Sequence, residues 1–358
     1  MAKTTTNNPT DALLAIKNAG VSGQTYSAAR WTTADSHSSG TTITLTYSFE
    51  SFLPSYYGLG SYNYLGSMSS VEQAAVEAVL KSISEVVNIN FVRVSSGVGD
   101  LAFMETSFSS YFVSSIFNPG GKTAGFSYLP TPENKTLRIA GDIFLNSDSK
   151  VFGSTIKDTS PGSYFYTTIL HEVSHILELI HSFNEQGKTW VLPPGQNDFY
   201  HTVMTYNLEN VPRDIYNTSS TTCSFPGIFP NILMPLDIEA LQILYGANTS
   251  ATGGNNTYRW ANKAELFQTI WDGGGIDTID CSNQTLVCQI NLQAGAYSSI
   301  GLRQTTAEII EALNGPWWLL QQTEDIPAYI YRKKQSGHSQ GRDDRKRYWR
   351  YPERHYFR

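Results

Sequence analysis

The feature that most constrains this chain is a pair of histidines, His171 and His175, that stand four residues apart in an apolar helical pattern. Residues at this spacing lie on one face of a helix about a turn apart, so both imidazoles can bind one zinc ion. Glu172 then lies beside the metal, where its carboxylate can take a proton from a water molecule but is poorly placed to be a ligand. The pattern predicts a zinc-dependent hydrolytic site.

The helix that carries this motif is expected to begin at Ser160-Pro161. Its apolar residues recur every 3.6 positions and should form one buried face, made of Ile169, Val173, Ile176, Leu177 and Ile180.

The same segment reads H-E-V-S-H-I-L-E-L-I-H and ends at His181. It resembles the extended H-E-x-x-H-x-x-G-x-x-H motif of the serralysin branch of the metzincin zinc proteases. The resemblance implies that His171, His175 and His181 bind zinc and that Glu172 is the general base. It extends to Val203-Met204-Thr205-Tyr206, which is similar to the Met-turn of that family: Met204 would lie beneath the ligands, and Tyr206 would contact zinc and then the reaction oxyanion.

Two further stretches resemble the same family, namely Gly162-Ser163-Tyr164 at the entry to the zinc helix and residues 235–248 as the closing helix of the protease domain. By the same resemblance, residues 141–146 would be the edge strand that receives the substrate. An extended peptide can add there as an antiparallel strand through backbone hydrogen bonds. The substrate-binding residues implied are Gly141, Asp142, Ile143 and Phe144.

Glu178 stands where the motif has glycine. That glycine allows the helix to end in a left-handed conformation, which returns the third histidine to the metal. On an unbroken helix, Glu178 would share the zinc-facing side with His171, and His181 would face elsewhere. We expect the bent site with three histidines, because a strain of about 1–2 kcal/mol is small beside about 10 kcal/mol for a zinc site. The alternative is a noncatalytic or impaired relative with a binding or structural role.

A thermolysin-like site would instead need a glutamate ligand on a following helix. The next plausible one, Glu209, comes after the predicted Met-turn, which disfavours this arrangement.

Residues 271–280 read W-D-G-G-G-I-D-T-I-D and resemble the calcium-binding, glycine- and aspartate-rich repeat of parallel β-rolls. Glycines permit tight turns, while carboxylates and backbone carbonyls are the hard oxygen ligands that Ca²⁺ prefers. The resemblance implies Asp272, Gly274, Gly275 and Asp277 as calcium ligands. Gly254 and Asn256 match a neighbouring site more loosely.

The remaining pattern predicts a mixed twisted sheet with helices on one face. Residues 42–49 alternate with period two, and strand-like runs follow at 89–94, 100–104 and 141–146. A helix from about Ser70 is predicted by a capping box between Ser70 and Gln73. We therefore expect an α+β metzincin-type protease domain with a zinc helix, followed by a truncated parallel β-roll. The expected domains are a flexible, propeptide-like segment at 1–40, the protease at 41–248, the start of the roll at 249–302 and an unmatched basic tail at 303–358.

Composition restricts the class of protein. Charged residues make up only 16% of the chain and aromatic residues 13%, which disfavours a coiled coil, a disordered chain or a nucleic-acid binder. The sequence contains neither a run of about 18 apolar residues nor a signal-peptide core. The resemblance to the serralysin-type proteases implies a secreted monomer that acts on proteins and peptides, and the lack of a signal-peptide core predicts that it has no N-terminal Sec signal.

The cysteines and the end of the chain leave alternatives open. Cys223, Cys281 and Cys288 are expected to be ordinary buried or free thiols, although the last two could close a small loop outside the cell. Residues 332–358 contain ten Lys or Arg and three Asp or Glu, against a net charge of −6 for the whole chain. This tail is either a polyanion- or membrane-binding segment or, as the pattern favours, a segment that packs against nothing because its reading frame is altered.

Overall fold

The computed structural model describes residues 4–5, 9–14, 31, 42–58, 65–109, 123–152, 157–183, 190–208, 216–219, 222–224, 228–262, 267–302, 346–350 and 356–357. By its internal contacts the chain divides into two compact units. The first comprises Met1–Asn207 and Pro230–Asn248, and the second comprises Leu208–Phe229 and Thr249–Arg358. The change of unit after Asn248 coincides with the end of the predicted protease domain, whereas the assignment of Leu208–Phe229 to the second unit was not foreseen.

The first unit combines one central sheet with helices. Its strands are β1 (Thr4–Thr5), β2 (Ile43–Glu50), β3 (Ile89–Arg93), β4 (Leu101–Thr106), β5 (Gly125–Ser127), β6 (Asp142–Asn146) and β7 (Trp190–Val191). Its α-helices are α1 (Ser70–Ser84), α2 (Pro132–Thr136), α3 (Tyr164–Ile176) and α4 (Pro235–Tyr245), and short 3₁₀ turns occur at Pro9–Ala12, Ser55–Tyr57, Ser149–Phe152 and Pro194–Gln196. Among the described residues, none of these helices combines the length and apolarity that crossing a membrane would need.

The central sheet has the order β3-β2-β4-β6-β5, with β5 antiparallel to β6 and the other neighbours parallel. The prediction of a mixed sheet is confirmed. One apolar cluster lies on the sheet and consists of Leu53, Leu65, Ala102, Met104, Phe108 and Phe144. Phe126 of β5 stacks on Phe144 of β6 with ring centroids 4.7 Å apart. This contact fixes the short antiparallel strand against its longer neighbour.

Helix α1 begins at Ser70, as predicted, but its capping box lies one residue earlier than the sequence signal indicated. Its capping box is formed by Ser69 and Glu72, not by Ser70 and Gln73. The Glu72 carboxylate accepts the backbone N–H of Ser69 at 2.7 Å and forms an ion pair with Lys157 at 2.6 Å. Because Ser69 and Ser70 are adjacent, two capping boxes shifted by one residue are possible. The buried ion pair between Glu72 and Lys157 favours the box that has Glu72 at its third helical position.

The structure contradicts the predicted edge strand at residues 141–146. Gly141 precedes the strand with φ 87°, and β6 is paired on both sides, by β4 and by β5. All five β6 residues, including Asp142, Ile143 and Phe144, are buried, as expected for an interior strand. The edge strand on this side of the described sheet is β5, which the sequence analysis did not identify because three residues give no periodic signal.

The predicted flexible segment at 1–40 also needs correction. Thr10, Ala12, Leu13 and Leu14 are buried in the first unit, and Leu14 forms an antiparallel bridge with Leu179. Most of residues 15–41 lies outside the described residues. The 9–14 segment is thus part of the folded core, although its short apolar stretch gave no periodic pattern.

The second unit contains short strands: β8 (Tyr216–Ser219), β9 (Thr222–Ser224), β10 (Thr257–Tyr258), β11 (Ile270–Trp271), β12 (Ile276–Asp280), β13 (Val287–Gln289), β14 (Ser299–Leu302), β15 (Lys346–Arg350) and β16 (Tyr356–Phe357). Strands β10 and β12 pair in parallel. Strands β15 and β16 lie in the predicted tail and pair antiparallel with β12 and β11 respectively, so the expectation that the tail packs against nothing is wrong for these residues. Residues 303–345 of the predicted tail lie outside the described residues.

Cys281 is a buried free thiol and Cys288 a half-buried one.

Helix α4 holds the loop at 202–205 through one buried carboxylate. Asp237 at its third position accepts the backbone N–H groups of Val203 at 2.8 Å and Met234 at 3.0 Å. The hydroxyl of Thr202 donates to its other oxygen. Burial raises the pKa of Asp237 to about 7, although these hydrogen bonds act in the opposite direction.

This pKa predicts a pH-dependent stability. Since the pKa of Asp237 is raised on folding, its stabilising contribution is fully present below about pH 4 and is lost as pH rises to about 7. The free energy of unfolding of the protein, relative to that of the Asp237→Asn variant, should therefore fall between pH 5 and 7, by at most about 1.4 kcal/mol per pH unit, and then level off. Urea unfolding of both metal-free proteins across pH 5–8 measures this difference, in which shared titrations cancel. A difference that is constant with pH would contradict it.

Candidate metal centre and active site

Helix α3 carries the first two histidines. Ser163 caps it by accepting the backbone N–H of Tyr166 at 3.1 Å, so the helix begins three residues after the predicted Ser160-Pro161 opening. Every α3 residue from Phe165 to Ile176 is buried, so the helix is enclosed by the unit rather than lying on its surface. His171 and His175 therefore sit on a rigid element.

The helix ends in a Schellman motif with glutamate in the position that usually carries glycine. The N–H of Leu179 bonds to the carbonyl of Ser174 at 3.0 Å, and the N–H of Glu178 bonds to that of His175 at 2.9 Å. Glu178 has φ 74°, in the left-handed region. The turn therefore has the geometry that the motif glycine would give, and the alternative in which α3 continues unbroken to His181 is excluded.

The cost of this conformation is offset locally. A residue with a Cβ pays about 1–2 kcal/mol to be left-handed. The Glu178 carboxylate, which is 3% exposed, accepts a hydrogen bond from the hydroxyl of Tyr245 at 3.0 Å. This hydrogen bond gives the buried carboxylate a partner and so supports the left-handed residue that carries it.

After the turn, the chain is held by the N-terminal segment before it reaches His181. The N–H of Ile180 donates to the carbonyl of Leu13 at 2.8 Å. Together with the bridge between Leu14 and Leu179, this contact fixes the direction of the backbone immediately before His181. Sequence reasoning missed this support because it depends on a pairing between residues far apart in the chain.

The three imidazoles converge on one point. The Nε2 atom of His181 lies 3.1 Å from Nε2 of His171 and 3.1 Å from Nε2 of His175. The candidate ligand atoms of all three lie within 4.8 Å of one another. Two nitrogens bound to one tetrahedral zinc ion at about 2.05 Å would be about 3.3 Å apart, so the spacing fits such an ion.

Hydrogen bonds orient two of the rings for metal binding. Nδ1 of His171 donates to the carbonyl of Val203 at 2.8 Å, and Nδ1 of His175 donates to that of Leu179 at 2.8 Å. Each bond leaves a lone pair on Nε2, which faces the other rings. Burial, followed by the neighbouring His181, lowers the pKa of His171 to about 3, so its ring stays neutral at pH 7. A cluster of facing lone pairs suits a cation.

The side chain of Glu172 extends from α3 towards the edge strand β5. Its carboxylate accepts a hydrogen bond from the Ser127 hydroxyl at 2.7 Å, and burial raises its pKa to about 7. Gly125 allows β5 to pass this close, because a Cβ there would lie 3.0 Å from Cγ of Glu172. Strand β5, which the sequence analysis did not assign a role, therefore borders the predicted general base.

The loop at 203–206 completes the surroundings of the histidines. Met204 is fully buried, whereas Tyr206 is 63% exposed and its hydroxyl lies 2.8 Å from Nε2 of His181. The ring of Phe183 stacks on His181 and contacts Tyr206, with centroid separations of 4.8 Å in both pairs. Phe183 was not predicted, although an aromatic residue two positions after a ligand is a signal that could have been used. Glu209 of the thermolysin-like alternative lies outside the described residues.

The glycine-rich stretch of the second unit forms a turn that stacks on residues 252–256. The N–H of Ile276 donates to the Asn255 side chain at 2.8 Å, and the N–H of Thr278 donates to the carbonyl of Asn256 at 2.9 Å. At Gly275 only glycine fits, because a Cβ would lie 2.2 Å from the carbonyl oxygen of Gly254. Two successive turns are thus brought into direct backbone contact.

The carboxylates of this turn are buried. Asp272 accepts hydrogen bonds from the hydroxyl of Tyr258 at 2.6 Å and the N–H of Gly274 at 2.8 Å. Oδ1 of Asp277 accepts the N–H of Asn256 at 2.8 Å, while its buried Oδ2 has no hydrogen-bond partner among the described residues. Burial, and the nearby negative charge of Asp272, raise the pKa of Asp277 although Asn256 opposes this. A cation would satisfy the remaining oxygen, so the donor set fits Ca²⁺.

Comparison with known proteins gives a consistent result. Residues 236–312 match the family model described as "Peptidase M10 serralysin C terminal". The chain is 27% identical to a serralysin of Proteus mirabilis over 70% of its own length and 53% of the relative's. It is 28% identical to a serralysin of Photorhabdus laumondii, with 66% of this chain and 48% of the relative covered.

A metalloprotease AprA of Pseudomonas entomophila is also 28% identical to the chain, over 73% of this chain and 53% of the relative. The chain thus spans about half the length of the curated relatives it matches. The chain is therefore similar in sequence to the serralysin-type metalloproteases, and it carries a histidine cluster at the end of α3.

Proposed function

We propose that this chain carries the active site of a secreted zinc endopeptidase. The single observation that supports this most strongly is the convergence of three Nε2 atoms beside a buried glutamate. His171, His175 and His181 would hold the metal. A zinc ion at this position supplies a Lewis acid that lowers the pKa of a water molecule to about 7 and polarises the substrate carbonyl.

The protein residues would then divide the proton transfers between them. Glu172 accepts the proton of the attacking water and passes it to the leaving amine. Its raised pKa suits both steps, because the carboxyl group must give up and take up a proton near neutral pH. The hydroxyl of Tyr206 donates to the oxyanion that develops on the scissile carbonyl.

Substrate would bind along β5. The strand at Gly125–Ser127 lies at the edge of the described sheet, antiparallel to β6 and next to Glu172. An extended peptide pairing with this edge would place a scissile bond near the carboxylate through backbone hydrogen bonds, with little demand on sequence. This assignment replaces residues 141–146.

The alternative of a noncatalytic or impaired relative rested on Glu178 and on the unmatched C-terminal region, most of which lies outside the described residues. Its left-handed conformation keeps the Schellman turn, and its carboxylate is hydrogen-bonded to Tyr245. The replacement of the motif glycine therefore gives no support to the noncatalytic alternative.

In the second unit, we propose that Asp272 and Asp277 bind Ca²⁺ together with backbone carbonyls of the turn at 274–275 and of Gly254. The stacking of two turns beside parallel strands β10 and β12 supports the start of a β-roll there. Secretion without a Sec signal and a monomeric state remain predictions from the resemblance.

The mechanism predicts the behaviour of the Glu172→Gln variant. It should bind one zinc ion per chain, as the parent does, but lose about 10²- to 10⁴-fold in kcat/KM, because glutamine cannot accept the proton. Metal content and the cleavage rate of casein are the measurements.

The Glu85→Gln variant, which changes a partly exposed glutamate paired with Lys81, serves as the control and should keep full activity. Cleavage at the parent rate by Glu172→Gln would contradict the proposed mechanism.

The calcium site predicts a second result. Asp277→Asn should weaken Ca²⁺ binding at least about tenfold, because it removes the charge of a buried ligand. The increase in Tm on adding Ca²⁺ to the full chain measures this.

Asp280→Asn is the matched control, since Asp280 is equally a buried strand residue but is paired with Arg259 at 3.0 Å. It should lower Tm without changing the calcium concentration needed for half of the effect. Equal calcium responses in the Asp277→Asn variant and the parent protein would rule out Asp277 as a ligand.

A further inference from the structure

The turn between the second and third histidines is where this chain departs from the motif that it otherwise matches. Glu178 is left-handed, is almost fully buried, and lies three residues from each of His175 and His181. A glycine would need no support here, whereas a glutamate needs a partner for its buried carboxylate. The question is which residue supplies that support.

Tyr245, the last residue of α4, is the residue that supports Glu178. Its hydroxyl donates to Oε1 of Glu178 at 3.0 Å and lies 3.5 Å from the carbonyl oxygen of Leu177. Tyr245 is itself buried, with 7% of its surface exposed. The hydroxyl therefore contacts two consecutive residues of the turn from a helix that is distant in sequence.

The turn at Glu178 also orients the ring of His175. The carbonyl of Leu179, the residue after Glu178, accepts the Nδ1 proton of His175. If the backbone at Glu178 relaxed out of the left-handed region, this carbonyl would rotate away from His175 and the return path to His181 would change. The backbone conformation of Glu178 thus affects the orientation of the His175 ring through the Leu179 carbonyl, and the position of His181 through the path of the chain.

Positive charge is also present near the glutamate. Burial lowers the pKa of Lys135, and the negative charge of Glu178 acts in the opposite direction. Lys135 is only half-buried, so its ammonium group remains partly hydrated. Tyr245 is the more deeply buried of these two residues.

We propose that Tyr245 is a positioning residue for the metal centre, which acts through Glu178 by holding its carboxylate and thereby the left-handed turn that orients His175 and returns His181. This inference rests on the zinc site of the proposed function. It makes Glu178 and Tyr245 a coupled pair rather than two independent core residues.

A double-mutant cycle on the full chain tests the coupling. The variants are Tyr245→Phe, Glu178→Gly and the combination of both, and the quantity measured is zinc affinity by competition with a chromophoric chelator. Tyr245→Phe should weaken zinc binding about tenfold, because the ring remains but the buried carboxylate loses this donor. Glu178→Gly should stay within about threefold of the parent.

The combined variant tests whether Tyr245 acts through Glu178 or only stabilises the core. It should resemble Glu178→Gly, because the glycine needs no donor and the loss caused by Tyr245→Phe is recovered. Such recovery is non-additive, which is expected only for residues that interact. If Tyr245→Phe has the parent's affinity, or weakens binding equally in both backgrounds, the proposal is overturned.

Tyr47→Phe is the matched control. Tyr47 is also 7% exposed, and its hydroxyl lies 3.5 Å from the carboxylate of Glu77, in the same unit but on a different pair of elements. This variant should leave zinc affinity unchanged, and a loss equal to that of Tyr245→Phe would also overturn the proposal.

Hydrogen exchange gives a second readout that does not require metal. The amides of Leu179 and Ile180 should exchange faster in metal-free Tyr245→Phe than in the parent and recover in the combined variant, whereas unchanged exchange would overturn the proposal. A parent protein that binds no zinc would instead refute the proposed function, while the exchange experiment would still test the coupled pair.

Discussion

Three imidazole nitrogens face one another in this protein, and the rest of the first unit is arranged to keep them there. Two of the rings donate their other proton to backbone carbonyls, so their Nε2 atoms present lone pairs rather than protons to the cluster. If His181 carries its proton on Nδ1, its Nε2 also presents a lone pair, and a shared cation would satisfy all three nitrogens together. The geometry is therefore understandable as a metal site and has no evident value as core packing.

The supports of this cluster come from four separate parts of the chain. Helix α3 fixes His171 and His175, the segment at 9–14 fixes the backbone before His181, and α4 fixes the loop at 202–205 through Asp237. That loop returns to the site, because the carbonyl of Val203 holds His171. Elements that hold the ligands by their backbones are less sensitive to changes in surface sequence. This arrangement is compatible with the low identity to the relatives.

Much of the scaffold followed from local patterns. Strand β2 and helix α1 were predicted within about two residues, because each buries a face with a clear period. Strand β4, which is buried at every position, was predicted from a strand-like run, and the closing helix at 235–248, which was predicted from the resemblance, ends at Tyr245 as α4. The three histidines, Glu172, Met204 and Tyr206 came from the motif and its resemblance, and the structure brings all six into one neighbourhood, although their roles remain proposals. The calcium turn was found in the same way, from its glycines and aspartates.

The errors have a common physical origin in long-range pairing. Which strand lies at the edge depends on β5, whose three residues carry no periodic signal, so the substrate strand was assigned to β6 instead. The burial of residues 9–14 depends on a bridge to Leu179, far away in sequence. The Glu178 carboxylate accepts a hydrogen bond from the hydroxyl of Tyr245, a contact between distant residues that no local pattern could reveal. X-ray absorption at the zinc edge of the full, zinc-loaded chain tests the central claim most directly. The account predicts three imidazole nitrogens at about 2.0–2.1 Å with further oxygen scattering, and a first shell with fewer than three imidazoles would contradict it.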